Sequence, residues 1–194
     1  MRLSRKSKKG FTLVEVMVAM SLSTLLLASA YATLFSLAKG SESMINFSEM
    51  NSQSRFALEL FARDMRMASD VLQDDFTTHS VVVRRRQPSG GDQIVRYLFI
   101  PASNDMKGHF RRQEWDKYPG NPSTDLTADR VLLHDVDELA MNYYRYNRDE
   151  LALNPLETKH IQLEAKLQRN VLGITNTNYI ISARFMMRNK DVSN

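Results

Sequence analysis

From Val16 to Ala38 the chain carries no charge, no proline and no glycine. As a helix, this run of about 23 residues rises roughly 35 Å, enough to cross a bilayer, so one membrane span is expected. Arg2, Arg5, Lys6, Lys8 and Lys9 precede it without a single acid. That asymmetry predicts a cytoplasmic N-terminus and export of everything after Ala38. Glu15 breaks the pattern. A carboxylate at the edge of a hydrocarbon segment costs on the order of 2.5–3.5 kcal/mol on insertion scales, less near the interface, so it marks a function and needs a partner.

The helix itself holds no Lys or Arg to pair with Glu15. A cut between Gly10 and Phe11 would create one, since the new α-ammonium of Phe11 lies about one helical turn from Glu15. That amine, from the same chain or from a neighbour, neutralises the carboxylate. In a low dielectric the pairing also fixes the axial offset at which one chain docks on another.

Lys8-Lys9-Gly10-Phe11-Thr12-Leu13-Val14-Glu15, followed by an uncharged helix, resembles the processing site of type IV prepilins and type II secretion pseudopilins. The resemblance implies removal of the basic leader, residues 1–10, by a membrane aspartyl prepilin peptidase. It further implies N-methylation of Phe11 and a filament-assembly role for Glu15. Two other readings of the N-terminus exist. An uncleaved signal anchor explains the basic cluster and the apolar run but leaves Glu15 without a use. A conventional signal peptide could be cut after Ala28-Ser29-Ala30 to release a soluble exported domain starting near Tyr31, but Glu15 would interrupt its core.

With 194 residues there is room for one anchor and one modest globular domain. There is no cysteine, which excludes disulfides and thiolate metal sites. The net charge of +4 does not argue for nucleic acid, because removing the leader leaves 21 basic against 22 acidic residues.

After the span, Lys39-Gly40-Ser41-Glu42 meets water, and Gly40 softens the helix by about 1 kcal/mol relative to alanine without ending it. Ile45, Phe56, Leu60, Phe61, Met65, Ala68 and Leu72 recur near helical spacing, with Glu59 and Arg63 on a wet face. One long helix from Phe11 to about Val71 is therefore expected. Its residues 11–38 would lie in lipid, and residues 39–72 would form an amphipathic continuation. The remainder, 73–194, changes to a period of two. Strands are predicted at Ser80–Arg86 and Gln93–Ile100 as a hairpin turning at Pro88–Asp92, and at Phe110–Trp115. Further strands are predicted at Arg130–Leu133 and Leu139–Tyr146, split by the acidic link Asp135-Val136-Asp137-Glu138, at His160–Leu167 and at Tyr179–Met187. Loops are expected at 104–108, 118–125, 148–155 and 173–178. A helix laid on an antiparallel sheet makes an α+β domain, the pilin-like architecture.

His79, His109, His134 and His160 show no metal-binding spacing, and Ser89-Gly90-Gly91 lacks the lysine of a phosphate loop, so no catalytic site, metal or cofactor is expected. His134-Asp135 lacks a nucleophile elbow. Asp135, Asp137 and Glu138 are too closely run for a dedicated calcium loop. Arg84 and Arg86 share a strand face, with Arg96 across the hairpin, and read as a solvated face rather than a DNA-binding stripe.

A looser likeness extends from Ser54 to Arg66, whose sequence is similar to the helical signature of the type II minor pseudopilin J and related minor pilins. Val131 to Tyr144 and Ala183 to Asn189 share it more faintly. The resemblance implies a non-enzymatic minor pseudopilin, most like the J component. Such a subunit sits in the inner membrane with its C-terminal domain in the periplasm. It joins other minor and major pseudopilins in a hetero-oligomer at the filament tip and primes assembly for protein export. A minor pilin of a type IV pilus, serving adhesion, motility or DNA uptake, is the alternative within the family.

Overall fold

A computed structural model describes residues 10–86, 91–103, 107–116, 125–147, 150–171 and 174–190. The chain divides into two units, Met1–Glu42 and Ser43–Asn194. Helix α1, Leu13–Met67, contributes to both, and Gly40 lies inside it without interrupting it. Among the described residues seven strands follow: β1 (Ala68–Val71), β2 (Ser80–Arg86), β3 (Asp92–Ile100), β4 (Gly108–Trp115), β5 (Leu126–Tyr144), β6 (His160–Val171) and β7 (Ile174–Met186). They form one antiparallel sheet whose spatial order is the chain order. The expected α+β, pilin-like architecture is what the chain adopts.

Several boundaries differ from those the sequence suggests. The helix stops at Met67, and Ala68–Val71, expected as its last turn, instead pair with Arg85, Arg84 and Val83 of β2. Arg66 Nε donates to Ala62 C=O at 3.0 Å and satisfies a carbonyl of the final turn, after which a sheet ladder replaces the helical one. The two strands expected around the acidic link are one 19-residue strand, β5. Its first part pairs with β4 and its last part with β6, with register shifts around Val136. Asp135 takes φ 57°, a conformation that Asp tolerates better than most residues, and this lets a single strand turn from one partner to the other. Gly108 sits opposite Val136. A Cβ there would come within 2.4 Å of the Val136 carbonyl oxygen, so only glycine allows this approach. Ile174 to Asn178, expected in a turn, belong to β7. The predicted turns at 88–90, 104–106, 118–124 and 148–149 and the leader residues 1–9 lie outside the described residues.

In the second unit the core lies between the helix and the inner face of the sheet. Met50, Ala57, Phe61 and Met65 are fully buried from the helix. The sheet supplies Val81, Val83, Val95, Phe110, Leu133, Met141, Ile161, Leu163 and Leu167. The expected alternation of β6 holds for Ile161, Leu163, Ala165 and Leu167. The helical stripe shifts, because Ile45 and Phe56 are exposed and Leu60 is only half-buried. Phe61 is the pivot: its ring meets Tyr97 at 4.8 Å, Phe185 at 5.4 Å and Phe110 at 6.5 Å. Burying an aromatic of this size contributes about 1.5–3 kcal/mol from area alone.

One charged cluster penetrates this core. Asp64, on the helix and fully buried, accepts hydrogen bonds from Arg85 Nη1 and Arg112 Nε at 2.6 Å each and from Tyr97 Oη at 2.7 Å. Glu114 and Gln93 extend the network, with Gln93 Nε2 donating to Glu114 at 3.0 Å. Burial, reinforced by the Asp64 charge, pushes the Tyr97 hydroxyl well above the ordinary tyrosine range, so it stays a donor.

Candidate functional site

The sequence places the functional chemistry at Gly10, Phe11 and Glu15, where the first unit begins its helix. Thr12 is the N-cap. Its backbone N–H donates to Glu15 Oε2 at 2.9 Å, its hydroxyl to the same oxygen at 3.0 Å, and Glu15 N–H donates back to the hydroxyl at 3.3 Å. Thr-x-x-Glu is a capping box, satisfying orphan donors at both ends of the first turn. The spacing was present in the sequence, yet only an amine partner was sought for Glu15; Thr12 is the residue that reasoning missed. Both side-chain bonds land on Oε2, and a carboxylate has more acceptor sites than these two occupy.

Phe11 is 88% exposed, and no atom would obstruct a Cβ at Gly10. Beyond Glu15 the helix presents apolar side chains all round. Leu25, Leu26, Leu27, Tyr31, Leu34 and Leu37 are exposed, and none of its most apolar window is buried within the chain. Most of its hydroxyls are satisfied within the helix. Ser21, Ser23, Thr24, Ser29 and Thr33 each donate to a carbonyl three or four residues earlier. Each of these five therefore shows lipid or a neighbouring helix no unmet donor. Mean hydropathy over the window is 1.9, sufficient by length and composition for a single-pass anchor. Ala28-Ser29-Ala30 lies in the middle of this helix.

Several of the other residues considered from sequence have structural employment. His160 is buried, with Nδ1 3.0 Å from the Arg145 carbonyl oxygen, and the His79 ring lies 5.6 Å from that of Phe99. His134 is exposed and His109 half-buried. Among the described residues no group of three His, Asp or Glu side chains could hold a metal ion. The acidic run is met by cations instead: Asp135 by Lys107 at 3.2 Å and by Arg169, Asp137 by Lys166 at 2.7 Å. Despite partial burial, the bonds from Arg169 and Lys107 hold the Asp135 carboxyl below its usual range. The three neighbouring arginines part company, since Arg85 turns inward to Asp64 while Arg86 is exposed. Arg96 shares the face of Arg84 and Arg86 but is paired with Asp75 at 3.0 Å.

Residues 5–31 match the family model described as the prokaryotic N-terminal methylation motif. No curated protein matches the chain. The matched stretch spans the basic cluster from Arg5, the Gly10–Phe11 junction, the capping box and the first half of the apolar helix. Residues 5–31 are thus similar to the N-terminal segment of type IV prepilin-like proteins, and helix α1 is long and apolar enough to cross a membrane.

Proposed function

We propose that the protein is a minor pseudopilin, a structural and non-enzymatic subunit at the tip of a type II secretion filament, most like the J component. In this reading a prepilin peptidase cuts after Gly10 and methylates Phe11. The mature chain waits in the inner membrane, its sheet domain outside, until other minor and major pseudopilins recruit it. Glu15 then receives the α-ammonium of a neighbouring Phe11, which sets the axial register while the apolar helices pack together.

The observation that carries the reading is the state of Glu15. It is the sole acid among residues 11–38, five of whose hydroxyls are bonded to the helix's own carbonyls, and among the described residues only one of its carboxylate oxygens is engaged. An uncompensated carboxylate there is costly unless assembly makes use of it. The J assignment rests on length and on the Ser54–Arg66 signature.

The test is the mass of the N-terminal peptide from native membranes. N-methyl-Phe11 as first residue is expected. A start near Tyr31, or an intact leader in cells containing the peptidase, would overturn the reading. A deletion strain then separates the two filament types: loss of protein secretion with pili intact supports the pseudopilin, and loss of pili with secretion intact supports the minor pilin.

A further inference from the structure

Two surfaces of the second unit carry opposite charges that the unit itself leaves unmet. The first is the side of α1 turned away from the sheet. Phe56, Glu59, Leu60, Arg63 and Arg66 share one helical stripe and line a depression of about 300 Å³. Arg130 reaches it from β5, with its guanidinium 5.3 Å from the centre of the Phe56 ring. Among the described residues Arg66 bonds only the Ala62 carbonyl, and Arg130 meets only that ring. Arg63 comes no closer than 3.7 Å to Asp64, whose oxygens Arg85 and Arg112 already hold at 2.6 Å. Three guanidiniums therefore face a single carboxylate, Glu59, around an apolar centre in which Phe56 is 46% exposed.

The second surface is the outer face of the sheet. Leu139, Ala165 and Ile181 are buried on the inner face, so alternation turns Glu138, Glu164, Ile180 and Ser182 outward. These four border a groove of about 590 Å³, and Ile180 is 75% exposed. Asp137 and Lys166, which also line it, neutralise each other at 2.7 Å. Among the described residues Glu164 accepts only from Gln162 Nε2, at 2.6 Å, and Glu138 has no ion pair. Two unpaired carboxylates thus stand around one apolar side chain, the reverse of the arrangement on the helix.

We propose that these surfaces are the two halves of one contact between copies of this chain. Ile180 of one copy seats on Phe56 and Leu60 of the next, and Glu138 and Glu164 meet Arg63, Arg66 and Arg130. Sign and spacing both select a second copy as the occupant. Along the helix Arg63 and Arg66 lie about 4.5 and 9 Å beyond Leu60. On the sheet Glu164 is a diagonal neighbour of Ile180 at about 7–8 Å, and Glu138 is two strands away at about 9–10 Å. An arginine side chain spans the differences. The apolar centre supplies the desolvated area, and the charges around it set orientation. Because the helix stripe and the groove lie on opposite sides of the unit, the contact is heterologous. Each end of a pair keeps one unused half, so copies stack front to back in an open row. The proposal uses the second unit alone and does not rest on the pseudopilin reading.

The chain has no cysteine, so introduced thiols report the contact without background. The test uses the full chain in zwitterionic micelles at low ionic strength under air oxidation. Chains carrying Glu59→Cys, mixed with chains carrying Ser182→Cys, should give a disulfide dimer, and a chain carrying both should give a ladder. Leu153→Cys, at an 82% exposed position outside both surfaces, should not link to Glu59→Cys. Arg63→Glu with Arg66→Glu in the first chain should cut the yield at least about tenfold, and Glu138→Lys with Glu164→Lys in the second should restore it. If a charge-reversed chain fails to fold, about 1 M salt on the unreversed chains takes its place and should lower the yield in the same direction. Equal linking by Leu153→Cys, single-thiol homodimers in preference to the mixed product, no restoration by the second reversal, or a yield indifferent to salt would overturn the proposal. Each readout is independent of how the N-terminus is processed, so this proposal and the pseudopilin reading fail separately.

Discussion

Replacing Asp64 by asparagine changes one atom in shape and removes the charge that holds two arginines in the core. The native carboxylate accepts from Arg85, Arg112 and Tyr97, and its own side chain is fully buried beside guanidiniums whose side chains are 13% and 6% exposed. An asparagine must aim its NH2 at one of these donors, leaving one bond unmade and two cations with Glu114 as the remaining nearby acid. Breaking a buried ion pair from one side costs about 3–5 kcal/mol. For a unit of this size about 2–4 °C is lost per kcal/mol, so the midpoint should fall by roughly 6–20 °C. Trp115, the chain's single tryptophan, is buried at 5% exposure on β4, and its fluorescence reports unfolding of this unit in the full chain. Asp64→Ala should cost at least as much. Combined with Arg112→Ala it should show a coupling above about 1.5 kcal/mol, because the second change removes one of the stranded charges. A fall of less than about 2 °C for Asp64→Asn, or additive single and double variants, would refute this account of the core.

Gly108→Ala should lower stability by about 1–3 kcal/mol, read by the same fluorescence in urea, because its new Cβ would lie 2.4 Å from the Val136 oxygen and 3.0 Å from the Phe99 ring. Lys190 is almost fully buried and donates to the Pro155 carbonyl, and burial holds its ammonium below the ordinary lysine value despite Asp70 at 4.0 Å. The unfolded chain therefore binds this proton more readily, and stability rises with pH through the window just below 10.5. Relative to Lys190→Met, the native protein should gain stability across that window by at most about 1.4 kcal/mol per pH unit, and parallel curves would count against it.

The parts of the fold that were legible in the sequence are those where one local pattern decides. The uncharged run before Lys39 reads as helix and the alternation from Ile161 to Leu167 as a one-sided strand, and both elements are seen. Misreadings arose where a distant residue decides. Asp64, between Arg63 and Met65, was given no place by the helical pattern, and only Arg85 and Arg112, 21 and 48 residues away, make it a core residue. Asp135 to Glu138 resembled a linker for the same reason, since Lys107, Lys166 and Arg169 come to it from β6 and from the start of β4. Phe56 read as core by hydrophobicity, yet it lies exposed under the Arg130 guanidinium at 5.3 Å. At the N-terminus the pairing of Thr12 with Glu15 needed the geometry of the first turn.

The strand order has a consequence for how the protein is made. Because β1 to β7 follow one another across the sheet, each strand has its predecessor as template as soon as it leaves the ribosome or translocation channel. No strand must wait for a later one to be inserted beside it, so loop closures stay short until the sheet is complete. Each new strand therefore extends an edge that is already formed, and the sheet grows in one direction across its width.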